Sequence, residues 1–180
     1  MMMKNSIFIL CLALFSAGVQ AQVAIGKSDV NGSATILDFA EGTTSGIILP
    51  RVESLPPSVG GTFVYDATDL KVKVYGKVLD ENGNPVSTSW IALTDTQGEF
   101  DSAIQDDFDE KHEGSIIGAS NSSKEGVLVL ESSNKAMILP KIANPEVNVK
   151  SPEAGMMCYD TVTKNLLVYN GKEWYSWSID

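Results

Sequence analysis

The chain has 180 residues, of which 43% are hydrophobic, 20% charged and 8% aromatic. That composition fits one or two small globular units and is too apolar for a disordered chain. Lys plus Arg number 13 against 23 Asp plus Glu, giving a formal net charge of −10. With no basic cluster to offset it, such a surface repels phosphate backbones, which excludes nucleic acid as a partner. One His and two Cys leave little material for a zinc site or a disulfide framework.

Met1 to Ala21 reads as a secretory signal peptide. Lys4 supplies the positive start, the run from Ile7 to Phe15 the apolar segment, and Val19-Gln20-Ala21 the cleavage site, placing the mature start at Gln22. The apolar run is shorter than the roughly 20 residues a bilayer crossing needs, so no transmembrane span is expected after cleavage. Lipidation at Cys11 is disfavoured because bulky Leu10 precedes it and Cys11 lies within the apolar run. The expected address is extracellular or the cell surface, with the periplasm as the alternative. Cleavage leaves Cys158 as the sole thiol, so burial or association, and not an internal disulfide, must hold the fold.

The rest of the chain is a degenerate duplication. The first copy runs through Ala24-Ile25-Gly26, Ile36-Leu37-Asp38-Phe39, Gly46-Ile47-Ile48-Leu49-Pro50-Arg51, Gly61-Thr62-Phe63-Val64-Tyr65-Asp66 and Lys71 to Lys77, and ends at Trp90. The second runs through Ile117-Gly118, Val129-Leu130-Glu131, Ala136-Met137-Ile138-Leu139-Pro140-Lys141, Gly155 to Asp160 and Asn165 to Lys172, and closes at Trp174. The Leu-Pro pair recurs after 90 residues and the Tyr-Asp pair after 94. The main difference is an insertion, Val78 to Ser89, read as a projecting β-hairpin because Asp80-Glu81-Asn82-Gly83-Asn84-Pro85 carries turn chemistry. The expected organisation is signal peptide 1–21, β repeat 22–94 with hairpin 78–89, acidic linker 95–113 and β repeat 114–180.

Both copies read as antiparallel β-meanders, so the fold class is mainly β. Thr62 to Asp66 suits a strand ending in a polar turn, and Lys71-Val72-Lys73-Val74-Tyr75 alternates strictly, with both valines on one face. Asn170-Gly171 marks a tight turn leading into a last strand from Trp174 to Ile179. A short helix is expected in the linker, with Ser102 as N-cap, Gln105 three residues on, Ile104 and Phe108 spaced by four, and Gly114 as stop. A unit of roughly 60 residues buries only about 60% of its extended-chain surface, so either the copies pack on each other or the chain self-associates. Open edge strands push the same way.

Catalytic chemistry is sparse. His112 sits among Asp106, Asp107, Asp109, Glu110 and Glu113, with no Ser or Cys at a motif spacing that would use it, so a solvated linker is the better reading. The linker's eight carboxylates lack the central Gly and alternate spacing of an EF-hand. Cys158 stands where the first copy has Val64, which marks a packing site. No cofactor or metal is implied, and no enzyme is expected. The candidate interface or ligand contacts are Tyr65, Tyr75, Trp90, Tyr159, Tyr169, Trp174, Tyr175 and Trp177. Of these the C-terminal aromatics could stack on a glycan, but Trp90 and Trp174 occupy equivalent places, as do Ile91 with Tyr175 and Leu93 with Trp177, which favours shared packing.

The motifs Ile25-Gly26, Leu37-Asp38, Gly46, Leu49-Pro50-Arg51, Tyr65-Asp66 and Trp90 in one copy are joined by a second set in the other. That set is Ser132-Ser133-Asn134-Lys135, Leu139-Pro140, Gly155, Tyr159-Asp160-Thr161 and Tyr169-Asn170-Gly171. Together they resemble modules in secreted and cell-surface proteins of the Bacteroidota, and similar modules in tail-fibre-like proteins. Lys141 departs from the pattern's arginine, and the first copy lacks the Ser-Asn-Lys stretch. The resemblance implies a surface or structural component. The expected function is therefore a non-enzymatic, exported structural or adhesive protein acting through protein–protein contacts, principally self-association. A carbohydrate-binding module is the alternative.

Overall fold

The computed structural model describes residues 22–99, 114–124 and 126–177. The expected signal peptide, the helix expected around Ser102 to Phe108, and His112 lie outside the described residues. The protein is mainly β, and each repeat follows one plan: a parallel two-stranded ribbon, a short strand, a Leu-Pro break, then an antiparallel meander.

In the first repeat β1 (Val23–Ile25) pairs in parallel with β2 (Thr35–Phe39). An antiparallel meander alone would not give this arrangement, because the segment between the strands has to turn back fully to the starting end. Asp38 makes that return possible. Its buried carboxylate accepts from Lys27 Nζ at 2.6 Å and from the Asn31 backbone N at 2.7 Å, pinning the loop that leaves β1. β3 (Ile47–Ile48) and β4 (Arg51–Val52) flank Leu49-Pro50. Proline lacks an N–H and interrupts the ladder, so the two short strands join different sheets. β4 pairs in parallel with β5 (Phe63–Asp66), which continues antiparallel into β6 (Lys71–Leu79) and β7 (Pro85–Ala92). Val78 to Ser89 is thus the lengthened end of the β6–β7 hairpin. Asp80 closes its turn by accepting from Asn82 N and Asn84 N at 2.9 and 2.8 Å.

The second repeat repeats the plan. β8 (Ser115–Ile117) and β9 (Leu128–Leu130) form the parallel ribbon, and β10 (Ala136–Met137) and β11 (Lys141–Ile142) flank Leu139-Pro140. β11 pairs in parallel with β12 (Met156–Asp160), followed by antiparallel β13 (Leu166–Tyr169) and β14 (Trp174–Trp177). A one-turn helix not anticipated from the sequence, α1 (Pro145–Asn148), enters from Asn144 at φ 46°. Pro145, with its φ preset, starts the turn.

The Tyr-Asp pairs do the same work in both copies. Tyr65 N donates to Pro50 O at 2.8 Å and Tyr159 N to Pro140 O at 2.9 Å. Asp66 then accepts from Thr68 N at 2.9 Å and Lys73 Nζ at 2.7 Å. Asp160 accepts from Val162 N at 2.9 Å, Asn144 N at 3.0 Å and Thr163 Oγ1 at 2.6 Å. Burial works to raise both carboxyls, but the hydrogen bonds from Lys73 and Thr68 with the Lys73 charge at Asp66, and those from Thr163, Val162 and Asn144 at Asp160, together outweigh it and hold both below the ordinary value of 3.8.

The hydrophobic core answers how repeats this small stay folded. Leu49, Tyr65, Val72 and Leu93 of the first repeat pack with Ala154, Met157 and Val168 of the second. On the opposite face of β12, Met156 and Cys158 pack with Ile142, Val149 and Leu167. Cys158 is fully buried and its thiol is pushed up to about 12 by burial, then by the charge of Asp160. A thiol held protonated in a dry site behaves as a small hydrophobe, as its counterpart Val64 does.

Candidate self-association site

The two repeats are joined by exchange of their short strands. β3 of the first repeat leaves its own sheet and adds antiparallel to β12 of the second, with Ile48 beside Met156 and Ile47 beside Met157. Gly46 permits this approach, since a Cβ there would lie 2.8 Å from Met157 O. In return β10 of the second repeat adds in parallel to β2 of the first, with Ala136 beside Thr35 and Met137 beside Leu37. Both contacts use sheet edges, whose unpaired N–H and C=O groups accept any strand that arrives in register.

Side chains lock the exchange. Tyr65 Oη donates to Asn170 O at 3.0 Å within the core, and Arg51 Nη2 meets Glu153 at 3.1 Å. Trp177 Nε1 donates to Leu93 O at 3.1 Å, and Thr96 N donates to Tyr175 Oη at 3.0 Å. Asn170 caps its own turn by accepting from Lys172 N and Glu173 N, both at 2.9 Å. Gly171 follows at φ +97°, where a Cβ would strike Glu99 O. Only glycine accepts both that backbone and that approach.

The eight aromatic candidates do not converge on one platform. Tyr65 is in the shared core. Tyr75 stacks edge-on with Trp90 at 5.3 Å, and Tyr169 packs tilted on Trp174 at 5.1 Å. These are register pairs on equivalent hairpins, so the cross-strand Tyr–Trp contact belongs to the duplicated plan. Tyr175 and Trp177 tie the last strand to the first repeat, while Tyr159 lies half-buried beside Lys141. A hollow of about 150 Å³ between α1 and β13 is lined by Asn144, Thr163, Asn165, Leu167 and Ser176. Asp160 borders it with both carboxylate oxygens already engaged in the turn. Among the described residues no group of three or more His, Cys, Asp or Glu is placed to hold a metal ion, and no helix is long and apolar enough to cross a membrane.

Open edges were expected from the sequence, but not which strands would carry them. Among the described residues β9 has β8 on one side and no strand on the other, and β3 has β12 on one side alone. Apolar side chains lie exposed there: Ile48 and, on the second ribbon, Ile116, Val127 and Leu128. The available signal was Gly46 standing where the second copy has Ala136.

The fold and its exchanged edges define a class, a β-repeat protein whose sheets are completed by strands from a neighbouring repeat. Compared with known families, residues 116–179, essentially the second repeat, match the family model described as a phage tail like trimerisation region. The match supports a tail-fibre-like module with a structural, oligomerising role, and the family is a structural one. Compared with curated proteins and with solved structures, the chain has no match.

Proposed function

We propose that this protein is a non-enzymatic structural subunit, exported to the cell envelope or surface, that works by associating with copies of itself. The observation that carries the reading is that each repeat completes its sheets with a strand from the other, within a chain whose second repeat is similar to a trimerisation region. A module that receives strands from a neighbour inside one chain has the chemistry to receive them from a second chain. Export is supported by the signal-peptide reading of Met1 to Ala21, and a role at the surface by the resemblance drawn from the motifs.

Light scattering on the purified protein tests association. A mass above the 19.3 kDa of one chain is expected, and a monomer at every concentration overturns the reading. N-terminal sequencing of the protein recovered from its native envelope tests export, with Gln22 expected as the first residue. Recovery from the cytoplasm with Met1 intact overturns that part.

A further inference from the structure

The contact that covers the first ribbon has two halves, and each half occurs twice in this chain. Inside the chain, β10 lies along β2, with Ala136 N donating to Ala34 O at 2.7 Å and Ile138 N donating to Leu37 O at 2.9 Å. The counterpart of β10 is β3, because Leu49-Pro50 stands where Leu139-Pro140 stands. Successive N–H groups of an extended strand leave by opposite edges. Leu49 N donates to Gly155 O at 3.0 Å, toward β12, so the Ile48 N–H leaves on the side away from β12. That group is the counterpart of the Ile138 N–H. β3 therefore turns outward the peptide groups that β10 gives to β2.

The counterpart of β2 is β9. Ala40 N donates to Ile25 O in one ribbon and Glu131 N to Ile117 O in the other, both at 2.9 Å, which sets Leu128 in the place of Leu37. Leu37 is 1% exposed under β10, whereas Leu128 is 46% exposed and Ile48, on the outward edge of β3, is 49% exposed. β3 is held on β12 by the ladder and by Leu49, a member of the shared core, so it meets the β9 of another molecule.

We propose that the open edge of β9 is the seat for β3 of a second copy of this chain, added in parallel with Ile47 and Ile48 alongside Leu128 and Val129, as β10 is added to β2. This rests on the self-association reading and names its surface. The contact is head-to-tail, so it closes into a ring or runs on as a fibre. Its apolar edges and its hydrogen-bond phase are both already realised once within the chain.

Mixing an Ile48→Cys protein with a Val129→Cys protein under mild oxidation tests the seat, since the register that sets Met137 beside Leu37 sets Ile47 beside Leu128 and Ile48 beside Val129, on one face and within disulfide reach. A covalent dimer is expected in the mixture, and Cys158 is buried and does not compete. In parallel, Ile48→Lys and Leu128→Lys should each weaken association at least tenfold with unchanged circular dichroism. Val162→Lys, at an exposed position in the β12–β13 turn, should leave association unchanged. If the wild type is oligomeric but the mixture does not cross-link and neither lysine weakens it, the β9 seat is wrong and self-association stands by another surface. If the wild type is monomeric throughout, both proposals fall.

Discussion

The two parallel ribbons share one plan and differ in burial. In β2 the residues Thr35, Ile36, Leu37 and Asp38 are all buried, whereas β9 has Leu128 exposed and Val129 and Leu130 half-buried. The first ribbon is a three-stranded sheet with β10 on its edge, and the second has two strands. The comparison teaches that a ribbon of this kind is finished by a strand from elsewhere. The same holds on the meanders, where β3 lies against Met156 and Met157 and both are buried, while their counterparts Thr62 and Phe63 are half-exposed.

Leucine truncation should split the ribbons most widely. Leu37→Ala is expected to cost about 3 kcal/mol, as for a buried leucine that leaves a cavity, and Leu128→Ala, at the equivalent but exposed place, less than about 1 kcal/mol in the single chain. Urea titration of both variants checks the contrast, and equal losses would show the ribbons to be equally covered. Gly46→Val attacks the exchange itself. Its branched side chain meets Met157 O, so a loss of about 2 kcal/mol is expected, with faster amide hydrogen exchange at Met157. Ala136→Val, at the equivalent place on β10, sharpens the comparison by reporting whether the crowding is specific to β3.

Acid should act on the covered ribbon through Asp38. Burial works to raise the Asp38 carboxyl, but the hydrogen bonds from Lys27, Asn31 and Phe39 outweigh it and hold it below 3.8. A group with a depressed folded value contributes stability above its unfolded value and loses it as pH falls through the folded one. Thermal unfolding below pH 3.8 should therefore show stability falling, and Asp38→Asn should flatten that fall. The smallest effect is expected of Tyr65→Phe, which removes the hydroxyl that bonds Asn170 O across the repeats. It should cost about 1 kcal/mol by denaturant titration, with the core volume unchanged.

Much of this was legible in particular residues. Val72 and Val74 face the core as their alternation requires, and Lys73 is drawn between Asp66 and Asp69 at 2.7 and 2.6 Å. Asn170-Gly171 makes its turn, and Cys158 packs as Val64 does. The aromatic candidates sit in separate places, because equivalence in a duplication fixes a residue's role within its repeat and not its distance from the others. Ile48 and Leu128 carried no chemistry that the sequence could flag, and Gly46 offered only its place opposite Ala136; all three matter through the edges on which they lie.

The sequence by itself determined the duplication, the strand faces and the capped turns, because these follow from side-chain spacing and from φ preferences a few residues apart. The tertiary structure alone decided which edge each short strand joins, that the ribbons are parallel, and that Val149, just past α1, packs in the cluster of Cys158. The physical reason is that backbone hydrogen bonds carry no residue identity. A strand's pattern states which face it buries, and its partner is chosen by whichever edge the folded chain brings within reach.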